Sequence, residues 1–77
     1  MNEYLTQIKK VIQEKTGHEA KDVQDTSYFE DDLNIGETEL SEILAELEEI
    51  YQVDLVEEQG NIETVQDLVE LISEQIE

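Results

Sequence analysis

The chain has 77 residues, with 22 Asp or Glu against four Lys or Arg, a net charge of −18. A field of that sign repels nucleic acid and anionic membranes and attracts basic protein surfaces. The length predicts one domain, 1–77, with one modest core and no room for a large enclosed active site. The absence of Cys excludes disulfides and thiolate metal sites, and the absence of Pro leaves helices uninterrupted.

From about Glu3 to Thr16, Tyr4, Leu5, Ile8, Val11 and Ile12 share one helical face. The opening "MNEYLTQIKK" has no apolar signal core, and no run approaches the roughly 20 residues that span a bilayer, so a cytoplasmic protein without membrane association is expected. Gly17 predicts the helix stop, because glycine accepts the left-handed conformation. A long first loop, His18 to Ile35, follows, with Val23, Tyr28, Phe29, Leu33 and Ile35 as anchors onto the helices. The second helix carries Leu40, Ile43, Leu44, Leu47 and Tyr51 as its stripe. Its start has three candidate caps: Asn34 in a capping box with Glu37, Gly36, or Thr38. A short helical turn is expected near Val56 to Gly60. The last helix begins after Thr64, with Asp67 in its first turn. Val65, Leu68, Val69, Ile72 and Ile76 make its stripe, with Leu71 flanking. No segment alternates with period two between turn signals, so an all-α bundle is predicted.

Carboxylate chemistry is the first to test in so acidic a chain. An EF-hand register from Asp31 places Gly36 and Glu42 correctly but puts Leu33 and Ile35 where ligands belong, so no metal site is predicted. His18, alone beside a helix end, reads as a solvated residue rather than a catalytic base. No phosphate-binding glycine loop follows a strand. Paired acids such as Asp31 and Asp32 have no evident pocket to hold them, and no enzyme is predicted.

The segment "TSYFEDDLNIGETELSEILAELEEIY" resembles the first loop and second helix of acyl carrier proteins. That family has an aromatic residue, an acidic-Leu pair, a Gly-containing turn, Asp-Ser-Leu, and a helix ending in Leu-Glu-Glu and an aromatic. Phe29, Asp32, Leu33, Leu47, Glu48, Glu49 and Tyr51 stand in those places. The tail "NIETVQDLVELI" resembles the start of the family's last helix, and the resemblance covers essentially the whole chain. It implies a four-helix bundle of three longer helices and one short one. It also implies a docking helix that meets basic surfaces on synthase or transferase enzymes of acyl metabolism.

The family attaches phosphopantetheine to the Ser of Asp-Ser-Leu. Register from Leu33 and register from Leu47 both put that position at Glu37, within Gly36-Glu37-Thr38. A carboxylate has no hydroxyl to attack coenzyme A, and its charge opposes that anionic donor. The expectation is therefore an acyl-carrier-like binding or scaffold protein with no cofactor. It would be monomeric and would dock through Glu37, Glu39, Glu42, Glu46, Glu48 and Glu49. The alternatives are a carrier modified at Thr38 or Ser41, and an acidic nucleic-acid mimic. Phe29, Leu40, Leu44, Leu47, Leu55 and Ile62 are the residues that could line the family's acyl groove. The short helix, whose connection to Ile62 looks one residue short of the family's, is expected to be mobile.

Overall fold

The computed structural model describes residues 3–77 and is all-helical, with one connected core. Helix α1 spans Glu3–Thr16 and buries Ile8, Val11 and Ile12. Gly17 ends it at φ +86°, its amide donating to the Gln13 carbonyl at 3.0 Å. A side chain there would strain the backbone, which accounts for the glycine.

The first loop is held at several points. Val23, Phe29, Leu33 and Ile35 are buried as expected, but Tyr28 is 46% exposed. The reason is local. Tyr28 lies in an isolated antiparallel bridge to Thr64, where neighbouring side chains alternate in direction. Ser27 and Phe29 point inward on either side, so the Tyr28 ring faces out. The Phe29 amide donates to the Glu63 carbonyl at 2.9 Å, and the Val65 amide donates to the Ser27 carbonyl at 3.0 Å. His18 is not simply solvated. It is half-buried, with Nε2 2.6 Å from the Leu33 carbonyl oxygen, a strut across the loop.

Helix α2 spans Glu37–Tyr51 and α3 spans Val65–Ile76. Gly36 is the N-cap of α2, and no side chain caps that end. Asn34 is spent on the preceding turn: it sits at φ +56° and its amide donates to the Glu30 carbonyl at 3.1 Å. Thr38 lies inside the first turn. Gln52 closes α2 in the left-handed conformation. Thr64 and Asp67 form a full capping box on α3, and Asp67 Oδ2 also accepts from the Glu63 amide at 3.0 Å. The α3 stripe is buried at Val65, Leu68, Val69 and Ile72, but Ile76 is 45% exposed. The chain meets this end of α3 through Gln75 instead, whose amide group exchanges two hydrogen bonds with the Asp54 backbone.

The short segment is a 3-10 helix, Val56–Asn61, with no buried residue of its own. Its flanks, Leu55 and Ile62, are buried in the core. Among the described residues, seventeen apolar side chains make up that core. Each contributes about 1.5–3 kcal/mol on burial, part of what opposes the conformational entropy lost on folding. No helix among the described residues is long and apolar enough to cross a membrane.

Candidate functional site

Glu37 opens α2 and is exposed at the helix head. Two nearby hydroxyls differ in how they are engaged. Ser41 is half-buried and its Oγ donates to Gln59 Oε1 at 2.8 Å. Gln59 Nε2 donates in turn to the Glu37 carbonyl at 2.9 Å. Gln59 therefore clamps the 3-10 helix onto the first turn of α2. Thr38 is exposed, and its hydroxyl has no partner among the described residues.

The six acidic positions of α2 do not form one surface. Glu39, Glu42, Glu46 and Glu49 follow helical spacing and make one stripe. Within it Glu39, Glu42 and Glu49 are exposed, while Glu46 is half-buried and 3.8 Å from Lys15 Nζ. Glu37 and Glu48 lie across the apolar stripe from these, facing the 3-10 helix. Glu48 Oε2 accepts from the Leu55 amide at 2.7 Å and the Val56 amide at 3.0 Å. The Val56 and Leu55 amides hold its carboxyl below the usual glutamate range, against a smaller opposing effect of burial. Glu48 thus supplies the acceptor that the start of the 3-10 helix needs, since Leu55 brings no side-chain cap.

A cleft of about 610 Å³ opens at the head of α2, between the first loop, the first turn of α2 and the end of the 3-10 helix. Of the predicted groove residues, Phe29, Leu40 and Ile62 line it. Leu44, Leu47 and Leu55 do not: they lie deeper and are fully buried in the core. Ile35 completes the apolar wall. Gln59, Gly60 and Glu63 also line the wall, and nothing in their local sequence pattern distinguishes them from other turn residues.

No protein-family model matches the chain. Curated relatives do. The acyl carrier protein of Exiguobacterium sibiricum is 30% identical over 73 residues, covering 94% of this chain and 92% of that protein. The acyl carrier protein of Myxococcus xanthus is 32% identical over 71 residues, covering 91% and 90% respectively. That of Micrococcus luteus is also 32% identical over 71 residues, covering 91% and 88%.

Proposed function

The chain belongs to the acyl carrier protein family, whose members are carriers rather than enzymes, and we propose that it serves there as a binding or scaffold protein without phosphopantetheine. In this reading α2 docks onto basic patches of enzymes of fatty-acid, polyketide or related biosynthesis. One observation carries the proposal: the first residue of α2 is a glutamate. The family's attachment chemistry needs a nucleophilic hydroxyl there, and Glu37 supplies a carboxylate, so the residues at that position do not fit the group. The Ser41 hydroxyl is committed to Gln59, which weighs against its use instead. The exposed stripe Glu39, Glu42 and Glu49 supports docking, because its charge is not consumed by the fold.

The exposed Thr38 hydroxyl favours one competing reading, a carrier with a displaced attachment point. Intact mass after incubation with coenzyme A and a broad-specificity phosphopantetheinyl transferase separates the two. The expected result is no mass gain for the natural chain. Gly36→Asp, Glu37→Ser, Thr38→Leu should restore the gain of one phosphopantetheine. A gain by the natural chain that Thr38→Val abolishes would overturn the proposal.

A further inference from the structure

With neither Cys nor Trp in the chain, one-electron oxidation falls on its tyrosines. The three are placed differently. Tyr28 is exposed on the first loop, and its phenol has no partner among the described residues. Tyr4, in the first turn of α1, and Tyr51, the last residue of α2, are half-buried against the core. Their rings meet edge to face, with centroids 5.5 Å apart and planes at 72°. At that separation the nearest ring carbons are in van der Waals contact. No other tyrosine pair meets among the described residues.

Tyr4 also has a base at hand. Its Oη donates to Glu77 Oε2 at 2.8 Å, and the same oxygen accepts from Ser73 Oγ at 3.3 Å. The second bond holds the carboxylate beside the phenol. The hydrogen bond to Glu77 raises the Tyr4 phenol above its usual range, with burial and the Glu77 charge adding to it. Burial, then the charge of Glu3, raises that of Tyr51. Both phenols therefore keep their protons at neutral pH, and each must release a proton with its electron. A phenol that loses an electron becomes a strong acid. A carboxylate already hydrogen-bonded to it takes the proton in the same event and lowers the barrier. The phenol of Tyr51 has no such partner among the described residues.

We propose that Tyr4 and Tyr51 are an oxidative modification site, where a haem peroxidase working with hydrogen peroxide joins the two rings as dityrosine and Glu77 receives the Tyr4 proton. Each phenol loses one electron and its Oη proton, that of Tyr4 to Glu77 and that of Tyr51 to water. The two radicals pair in a carbon–carbon bond between one Cε atom of each ring. The hydrogen on each of those carbons then leaves as a proton, and each phenol oxygen regains one. In sum two electrons and two protons leave the chain, and one hydrogen peroxide takes them up as two waters. The rings must turn from their edge-to-face contact to form the bond. Both stand at helix ends, where local opening costs least. The bond staples the start of α1 to the end of α2, and it is independent of whether α2 docks a partner.

The test is to treat the dilute natural chain with a haem peroxidase and hydrogen peroxide, and to follow dityrosine fluorescence and intact mass. The expected product is a monomer lighter by two hydrogens, with peptide mapping placing the link between Tyr4 and Tyr51. Tyr4→Phe and Tyr51→Phe should each abolish the monomeric link, and Tyr28→Phe should leave it in place. Glu77→Gln still accepts the phenol's hydrogen bond but takes no proton, so it should slow the link several-fold. Glu74→Gln removes the same charge from an exposed position of α3 and should not slow it. Three results would overturn the inference: no link, linked dimers alone, or a monomeric link that survives Tyr51→Phe or is lost in Tyr28→Phe. Equal rates for Glu77→Gln and Glu74→Gln would overturn the part given to Glu77. Mapping the link in the natural chain needs no substitution, so it decides the matter even if a variant folds poorly.

Discussion

Glu48→Ala tests whether an acidic residue of α2 is structural. The substitution removes the acceptor of the Leu55 and Val56 amides, at 2.7 and 3.0 Å, and keeps a good helix former at the position. Loss of a side-chain cap costs about 0.5–2 kcal/mol, and here two amides lose their partner while water can reach at least the exposed Val56 end. A net loss of about 1 kcal/mol is expected, which lowers Tm by roughly 4–8 °C in a domain of this size. Removing a negative charge from a chain at −18 acts in the opposite direction by relieving repulsion. Glu49→Ala controls for that, since Glu49 is the exposed neighbour and its carboxylate caps nothing. Thermal unfolding by circular dichroism at 0.1 M salt should show Glu48→Ala destabilised and Glu49→Ala neutral or slightly stabilised. The pH dependence has a definite sign. Glu48 is held below its ordinary value of 4.5, so its contribution is complete above that value. It is lost as pH falls through the lower, folded-state value. The gap between the natural chain and Glu48→Ala should therefore persist at neutral pH and close in acid. Equal Tm values for the two alanine variants at pH 7 would refute the capping role.

Gln59→Ala should release the clamp on α2 and speed amide exchange across residues 57–61, leaving α3 unchanged; exchange as slow as in Ile43 to Leu47 before the substitution would contradict a mobile 3-10 helix. Thr64→Ala breaks the capping box that starts α3 and should cost about 0.5–2 kcal/mol, read as a lower urea midpoint with an unchanged m-value.

What could be read from the sequence was whatever repeats or punctuates locally. The stripes of α1 and α2 follow the helical period, and their buried residues match it. Gly17 and the pair Thr64 and Asp67 are terminus signals carried by single residues at fixed offsets. Tyr28 was misjudged because a short extended bridge imposes alternation on a loop that has no strand signal. Ile76 fits the period of α3 but lies where Gln75, not the stripe, meets the backbone of Asp54. Gln59 joins residues 18 and 22 positions away, and no local pattern announces such a contact. Glu48 and Glu49 are adjacent and chemically identical. Only the return of the chain at Leu55 makes one a cap and leaves the other free.

This division bears on how the acidity should be understood. A net charge of −18 suggests a uniform field, and for long-range attraction of a basic partner that description is adequate. At contact range it fails, because the carboxylates fall into distinct classes. Asp32, Glu48 and Asp67 hold backbone amides and are part of the fold. Glu46 leans on Lys15 across α1 and α2. Glu39, Glu42 and Glu49 form the exposed stripe, and Glu30, Asp31, Glu37 and Glu63 border the cleft. Neutralising a member of the first class weakens the fold, whereas neutralising one of the last two relieves repulsion and leaves the fold intact. Position 37 belongs to the cleft class, at the place where the family resemblance puts the attachment residue. In the function proposed above, its carboxylate takes the place of the attachment hydroxyl, and it adds a negative charge to the mouth of the cleft.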